Sequence, residues 1–378
     1  MGRRWAVHSS VRVVVVADRL FASRERELLS RLEIGLADEG VRVLQALPEE
    51  SAVPAPGNQT SGVYTASLTF PAGGLPFTTG IRARRLAQRL EEVDSGADGV
   101  PVDIVHVFGG SLWPFGAALA EACGAGLALE VWRAGLIDRT VSITAGVPKD
   151  ILFIAPDPEI ERMLRQRGVP TRSAIWGVHA GDPPAPKMVP GRAPTVMLIG
   201  AGNDPRAMRA ALEGVANCVR AHPDMLIFAD ALAARRADLY SVATQRGILA
   251  NLSLIEEIES RRDLLVQGDV LLLCEGNGEQ RTIVLEAMAH SMIVLSAEDE
   301  FCDYLRDNVT AKIVRPATRE AWASALGSLL DDPSAARRIG ESAREFVAKQ
   351  RRASDHVRSV LEAYSWLRQE QPARSVVP

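Results

Sequence analysis

One segment of this 378-residue sequence, residues 269–289, combines a strand pattern, a glycine loop and a helix pattern. Its apolar run, Val270–Leu273, is bounded by polar residues, as in a parallel strand that is buried on both faces. Gly276 and Gly278 follow, and they allow a sharp turn and a close approach of the backbone to a ligand. The predicted helix begins at Thr282, so its N-terminal amides and its dipole favour a phosphate group at the loop.

Two carboxylates flank this predicted phosphate site. Glu279 stands at the mouth of the loop, and Glu286 lies seven residues later, about two helical turns on. Both side chains can therefore face the same cleft. Backbone amides suit a diphosphate and carboxylates suit hydroxyl groups, so the segment favours a nucleotide diphosphate sugar as the ligand.

The segment resembles the C-terminal signature of the retaining glycosyltransferases of family 4, which have the two-domain GT-B architecture. In that family an acid-Gly-x-Gly loop precedes a Leu-Glu-Ala-Met-Ala helix, and two glutamates stand eight positions apart. Residues 285–289 match the helix part residue for residue. The first family glutamate aligns with Gly278, and Glu279 lies one residue later. The resemblance implies an α/β fold of GT-B type, in which two Rossmann-like domains face each other across a cleft and C-terminal helices close the chain.

Strand and helix patterns alternate on both sides of a stretch that holds five prolines, residues 182–194. This alternation implies right-handed parallel units and hence two Rossmann-like sheets. Strands are predicted before the prolines at residues 13–16, 41–47, 104–108, 127–131, 151–154 and 174–178, with a helix over residues 25–39. Strands are predicted after them at residues 195–199, 226–228, 252–255, 270–273, 293–296 and 312–314, with helices over residues 205–221 and from residue 320 onward.

Three segments are predicted from this division of the chain. Residues 1–182 form an N-terminal Rossmann-like domain on the acceptor side. Residues 183–194 form a proline-rich linker, because they lack apolar periodicity. Residues 195–378 form a C-terminal Rossmann-like domain that binds the nucleotide sugar and ends in the closing helices. Other stretches also look like parts of the family pattern, so the resemblance covers nearly the whole chain: residues 103–106, 165–170, 176–179, 307–314 and 329–333.

The resemblance assigns roles to residues at the predicted cleft. Glu279 would hold sugar hydroxyls, or Glu275 would do so if the loop folds differently, and Glu286 would bind the ribose. In the resemblance His106 belongs to the end of an N-domain strand, and it is either a catalytic residue on the acceptor side or a satisfied core residue. The predicted catalytic residues are therefore Glu279 and His106. The residues predicted to bind the nucleotide sugar come from two glycine turns and the helices behind them: Gly200, Gly202, Arg206, Glu275, Gly276, Asn277, Gly278, Gln280, Arg281, Thr282 and Glu286.

Several positions depart from the family pattern. Ala201 stands where the family usually has an arginine for the diphosphate, although Arg206 can replace a later lysine and Arg281 is a further cation. Phe108 and the Trp132-Arg133 pair stand where the family often has histidines. The first strand is also followed by a loop without glycine, residues 18–24.

The predicted function is transfer of a sugar from a nucleotide diphosphate sugar to a glycan, lipid-linked or small-molecule acceptor with retention of configuration, a hexosyltransferase type of activity. The departures leave a second hypothesis open, a catalytically degenerate GT-B protein that acts as a binding or assembly subunit. A sugar-nucleotide epimerase is a third, and it would need N-domain acids and histidines that the sequence does not reveal. No cofactor and no metal ion are expected besides the donor substrate, because no Asp-x-Asp pair or metal-ligand histidine spacing stands out.

Composition limits the partners and the compartment. The formal net charge of −4 gives no reason to expect nucleic acid as a partner. Four scattered cysteines without a CxxC pair favour reduced thiols, and no apolar run approaches the roughly 20 residues of a membrane span. We therefore predict a cytoplasmic protein. The scarce aromatic residues and the abundant alanine, leucine, valine and arginine indicate a bacterial protein, and the resemblance implies a role in polysaccharide biosynthesis. Residues 81–90 form a basic amphipathic helix pattern, which suggests peripheral contact with the inner face of the membrane.

Overall fold

The computed structural model describes residues 11–49, 67–71, 76–93, 101–144, 150–181 and 184–370. The described residues form two compact units. Unit 1 consists of Met1–Ile175 together with Ser354–Pro378, and unit 2 consists of Trp176–Ala353. Each unit contains one sheet in which every paired strand runs parallel to its neighbour, with helices in the connections.

Unit 1 has a seven-stranded sheet with the order β3-β2-β1-β4-β5-β6-β7. Its strands are β1 (Arg12–Ala17), β2 (Arg42–Pro48), β3 (Ser67–Phe70), β4 (Ile104–Phe108), β5 (Gly126–Glu130), β6 (Ile151–Ala155) and β7 (Thr171–Ser173). Its helices are α1 (Arg19–Arg24), α2 (Arg26–Asp38), α3 (Thr79–Val93), α4 (Trp113–Cys123), α5 (Ile137–Thr144) and α6 (Pro158–Gln166). The central strands β1, β4, β5 and β6 are buried at every residue, as their continuous apolar runs require.

Unit 2 has a six-stranded sheet with the order β10-β9-β8-β11-β12-β13. Its strands are β8 (Thr195–Ile199), β9 (Leu226–Asp230), β10 (Leu252–Ile255), β11 (Val270–Leu273), β12 (Ile293–Ala297) and β13 (Lys312–Val314). Its helices are α7 (Pro205–Val219), α8 (Ala231–Ala237), α9 (Leu239–Arg246), α10 (Asp263–Gln267), α11 (Thr282–Ala289), α12 (Arg319–Asp331) and α13 (Pro333–Gln350). The last helix of the chain, α14 (Ala353–Glu370), follows α13.

The two parallel sheets confirm the predicted α/β fold class. Five predicted strands, those at residues 104–108, 195–199, 252–255, 270–273 and 312–314, have the observed bounds. Continuous apolar runs explain this agreement for the buried strands, because only a strand covered on both faces tolerates them.

The strand predicted at residues 174–178 is wrong. The observed strand is β7, three residues earlier, and its Ser173 pairs with Ala155, the last residue of β6. Beyond that point β6 has ended, so residues 174–178 have no strand to pair with in unit 1. Val178 instead forms an isolated bridge with Arg352, within unit 2. The edge strand β3 was not predicted.

Helix α14 lies with unit 1, whereas the predicted domain boundary placed it with residues 195–378. The Tyr364 hydroxyl lies 2.8 Å from Nδ1 of His106 on β4. The Arg172 guanidinium lies 4.8 Å from the centre of the Trp366 ring. The sequence pattern predicts that α14 is a helix. Its apolar face alone does not predict which of the two sheets it packs against.

The described part of the predicted linker, residues 184–194, is attached to unit 2 by a buried carboxylate. Asp269 accepts hydrogen bonds from the backbone amides of Met188 (2.6 Å) and Thr195 (3.0 Å) and is paired with Arg192. The Lys187 ammonium donates to the carbonyls of Leu265 (3.0 Å) and Val266 (2.7 Å). This segment is therefore fixed along unit 2, despite its prolines. In the part of the chain that the structure describes, no helix is long and apolar enough to cross a membrane.

Candidate functional site

The candidate site lies where the connections of the unit 2 sheet diverge. Strands β8 and β11 are neighbours, and the chain proceeds outward from β8 in one direction and from β11 in the other. In open parallel sheets such a divergence leaves a crevice at the carboxyl ends of the two strands, where ligands bind. The residues that follow β8 and β11 are the two predicted glycine turns. The fold therefore brings the two predicted anion sites together at one edge of the sheet.

Glu275 joins these two turns. Its carboxylate accepts hydrogen bonds from the backbone amides of Ala201 and Asp204, both at 2.6 Å. An added Cβ at Gly200 would lie 2.7 Å from Met208 Sδ and 2.8 Å from Glu275 Oε2, so a side chain there would force both groups to shift. Amides that were predicted to face a diphosphate therefore already hold a carboxylate of the chain itself.

The N-terminus of α7, behind the Gly200 turn, is also occupied. The Asp204 carboxylate accepts hydrogen bonds from the amides of Arg206 (3.0 Å) and Ala207 (3.1 Å), as an N-cap residue does. Gly202 lies buried against Ala233, while the Arg206 side chain is exposed. Arg206, the cation predicted for the diphosphate, thus lies on α7, where the Asp204 carboxylate already binds the first amides.

The second glycine turn is partly open and partly held by acids. Gly276 and Asn277 are exposed, whereas Gly278 donates its amide hydrogen to Asp299 at 2.8 Å. Gln280 is buried and donates to the Phe301 carbonyl at 2.7 Å. Burial raises the pKa of Asp299, against the lowering effect of the two backbone hydrogen bonds that its carboxylate accepts.

Beside this turn lies a cavity of about 550 Å³. Its lining includes Gly276 and four acidic residues, Glu298, Asp299, Glu300 and Asp307. Arg315 also lines the cavity and pairs with Glu298. The volume is in the range of small-molecule sites, and carboxylates accept hydrogen bonds from hydroxyl groups.

Glu279, the predicted catalytic acid, belongs to a buried ion-pair network. The Arg281 guanidinium donates to Glu279 Oε2 at 2.6 Å and also pairs with Glu259. Burial favours the neutral form of Arg281, but the two carboxylates outweigh this effect, and its pKa lies above the ordinary value. A sugar hydroxyl at Glu279 would compete with Arg281 for the same carboxylate.

Glu286 and Thr282 share one partner, Arg262. Thr282 is the first residue of α11, and Glu286 lies one turn further along the helix. Arg262 Nη2 donates to the Thr282 hydroxyl at 3.0 Å, and Arg262 Nε lies 3.1 Å from Glu286 Oε2. The side chains of Arg262 and Glu286 are 15% and 12% exposed, so the pair lies at the edge of the buried interior.

Sequence reasoning missed Glu259, Arg262 and Asp299 as neighbours of the site. Glu259 and Arg262 lie in the connection from β10 to α10, and Asp299 follows β12. Connections that follow parallel strands all leave the same edge of the sheet, so charged residues directly after any strand of this half were the available signal.

His106, the other predicted catalytic residue, is fully buried in β4 of unit 1. Its Nε2 lies 3.2 Å from Glu130 Oε2, and its Nδ1 lies 2.8 Å from the Tyr364 hydroxyl. Burial lowers the pKa of His106 to about 3, so the ring is neutral at pH 7. Nε2–H then donates to the carboxylate, and Nδ1 accepts from the tyrosine. Both nitrogens are engaged, and an acceptor hydroxyl reaches neither while this network is closed.

Comparison with known proteins identifies the class of fold, the GT-B fold of glycosyltransferases. A glycosyltransferase from Rickettsia africae has a TM-score of 0.71 and 13% identity, with 96% of this chain and 100% of that chain covered. Sucrose-phosphate synthase from Thermosynechococcus elongatus has a TM-score of 0.71 and 14% identity, with 96% and 100% covered. HepE from Anabaena, solved with UDP and glucose, has a TM-score of 0.73 and 12% identity, with 94% and 100% covered. No protein-family model matches the sequence, and no curated protein matches it.

The buried histidines predict acid sensitivity of the fold. His356 Nε2 has no hydrogen-bond partner among the described residues, and burial, then the nearby His106 and Arg31, lowers the pKa of His356 to about 3. Between pH 6.5 and 3 the unfolded chain binds protons that the folded chain does not, so the free energy of unfolding falls as the pH falls. Each histidine should contribute about 2 kcal/mol to this fall between pH 7 and pH 5.

The variant His356→Leu should therefore lose about 2 kcal/mol less than the parent over that interval. Urea denaturation of both proteins at pH 7 and pH 5 measures the difference. Equal losses in the two proteins would show that His356 does not contribute to the acid sensitivity.

Proposed function

We propose that this protein is a retaining glycosyltransferase of the family 4 type, which moves a hexose from a nucleotide diphosphate sugar to a glycan, lipid-linked or small-molecule acceptor. The observation that carries the proposal is the position of Glu286. It lies on α11, directly behind the glycine turn at the divergence of the unit 2 sheet, in a crevice of the kind that binds nucleotides. The similarity of the fold to glycosyltransferases over nearly the whole chain supports the same assignment.

Three parts of this site are proposed to bind the ribose, the diphosphate and the sugar of the donor. The ribose hydroxyls bind the Glu286 carboxylate, and the diphosphate binds at Thr282, where α11 begins. The sugar enters the acid-lined cavity beside Gly276, where carboxylates accept its hydroxyl hydrogens. HepE, solved with UDP-glucose, supports a uridine nucleotide sugar as the first donor to test.

Transfer with retention requires stabilisation of the leaving diphosphate and of an oxocarbenium-like sugar. Amides and cations that are held in place before the reaction supply most of this stabilisation. The described residues contain no group of three or more His, Cys, Asp or Glu side chains that could hold a metal ion. We assign the neutralisation of the diphosphate to arginine and helix amides, and we propose no further cofactor.

One specific observation favours the alternative, a degenerate GT-B protein that serves as a binding or assembly subunit. Carboxylates of the chain occupy amides that a diphosphate would use in the Gly200 and Gly278 turns: those of Glu275, Asp204 and Asp299. Glu279 is likewise engaged by Arg281. The two hypotheses differ in whether a bound donor is cleaved.

The ribose assignment predicts the effect of replacing Glu286. Glu286→Gln should weaken binding of the preferred nucleoside diphosphate, tested as UDP, GDP and ADP by calorimetry, by about 1.5–3 kcal/mol, because one charge-assisted hydrogen bond is lost. Glu213→Gln is the matched control, since Glu213 is a partly exposed carboxylate of α7 paired with Arg246. Equal affinity of parent and Glu286→Gln would contradict the ribose assignment. A parent that binds none of the three nucleotides would contradict the proposed function.

Helix α3 of unit 1 supports the proposal that the protein works at the inner face of the membrane. Phe77, in the turn before α3, and Ile81, on α3, are 78% and 54% exposed, and Arg84 and Arg85 of α3 are exposed as well. The opposite side of the helix is anchored, because Leu86 is buried. Two exposed apolar side chains beside two cations match an anionic lipid surface. The proposed location is therefore cytoplasmic and peripheral to the membrane.

This proposal predicts sedimentation of the protein with vesicles of phosphatidylglycerol but not with vesicles of phosphatidylcholine. Phe77→Ser with Ile81→Ser should reduce the binding more than tenfold, because burial of each side chain contributes about 1.5–3 kcal/mol. Ile34→Ser is the control, since Ile34 is 48% exposed on α2 of the same unit. Unchanged sedimentation of the double variant, or a parent that stays in solution with both lipids, would contradict the membrane assignment.

A further inference from the structure

A diphosphate at the proposed site needs a cation, and the Gly200 turn does not provide one. Ala201 carries no charge, and its amide is bound to Glu275. Arg206 is exposed on α7, where Asp204 already accepts the hydrogen bonds of the first amides. Another connection at the same edge of the sheet can supply this cation.

Arg281 is close to the beginning of α11 but is committed elsewhere. Its guanidinium is buried and pairs with both Glu259 and Glu279. A phosphate that approached it would compete with these two carboxylates for the same N–H groups. Arg281 therefore stabilises the loop and does not serve the ligand.

Arg262 has the position that a diphosphate requires. It ends the turn after β10, just before α10, and its guanidinium contacts the hydroxyl of Thr282 at the first residue of α11. Its second contact, with Glu286, directs it toward the residue proposed to hold the ribose. The side chain is 15% exposed, so its position is largely fixed before a ligand arrives. In a nucleoside diphosphate the ribose and the phosphates are adjacent, as Glu286 and Arg262 are here.

We propose that Arg262 binds the diphosphate of the donor and replaces the cation that the Gly200 turn lacks. This inference rests on the proposed function, because it places the phosphates of the same ligand. A guanidinium presents several N–H groups in one plane and can bind two phosphate oxygens while it keeps a bond to Thr282. In this arrangement Glu286 binds the ribose and Arg262 binds the phosphates.

The division of roles is tested with two ligands of the same base, a nucleoside diphosphate and the corresponding nucleoside. Arg262→Gln should weaken binding of the diphosphate by about 10- to 100-fold, because charge-assisted hydrogen bonds to phosphate are lost. Binding of the nucleoside should change less than about threefold. Arg262→Lys should restore part of the diphosphate affinity, since it keeps the charge but not the fork geometry.

Arg261→Gln is the matched control. Arg261 is the preceding residue, half exposed, and its guanidinium pairs with Asp263 at 2.9 Å. It should bind both ligands as the parent does.

The outcomes separate this inference from the function on which it rests. Selective loss of diphosphate affinity in Arg262→Gln supports the inference. An equal loss for nucleoside and diphosphate would show that Arg262 only supports Glu286, and unchanged diphosphate affinity would show that it has no role; either result overturns the inference. A parent that binds no nucleoside diphosphate overturns the proposed function instead.

Discussion

The Glu275 carboxylate is the contact on which the geometry of unit 2 at the candidate site depends. It follows β11 and binds two amides of the turn that follows β8, so it ties the two central connections of the sheet to each other. Hydrogen bonds to an ionised acceptor are about twice as strong as neutral ones, and here two of them close on one side chain. An added Cβ at Gly200 would lie 2.8 Å from this carboxylate and 2.7 Å from Met208 Sδ, so a side chain in the turn would displace both groups. The Glu275 carboxylate therefore fixes the positions of the two turns that border the crevice.

The buried acids around Glu275 are also paired. Buried charges are costly unless they are paired, and at this edge each buried acid has an amide or an arginine as its partner. Asp299 holds the Gly278 amide, and Arg281 holds Glu279. Arg262 differs because it lies at the rim of this network, where it joins Thr282 to Glu286. A donor that binds here would replace contacts among Arg262, Thr282 and Glu286 with its own. The inner pairs, Asp299 with Gly278 and Arg281 with Glu279, would stay in place. The site can thus be well ordered without a ligand and still bind one.

Local patterns predicted the framework of this molecule well. The apolar runs of β4, β8 and β11 specify strands because few other structures bury so many consecutive apolar residues. The helix that begins at Thr282 was predicted from its apolar turn and the glycine turn before it. Predictions failed where a partner distant in sequence decides the outcome. β7 ends at Ser173 because β6 ends, and α14 packs with unit 1 because Tyr364 reaches His106.

The candidate site shows the same limit. The glycine turns and Glu286 could be recognised from sequence, and the fold brings them to one edge of the sheet. The partners of the acids could not, since Glu275 meets Ala201 across 74 residues and Arg281 meets Glu259 across 22. Ion pairs between different connections depend on side-chain positions that no local pattern encodes. His106 illustrates the consequence: the resemblance suggested a catalytic role, and its neighbours Glu130 and Tyr364 hold it in a buried hydrogen-bond network.

The most direct test of the account is release of nucleotide from UDP-, GDP- and ADP-sugars by the parent protein without an acceptor. A transferase should hydrolyse its own donor slowly, because water can replace the acceptor hydroxyl. The account predicts release from one of these donors, and loss of that release in Glu286→Gln at donor concentrations below the dissociation constant. Measurable binding of a donor with no release of nucleotide would contradict the transferase assignment and favour the binding or assembly subunit.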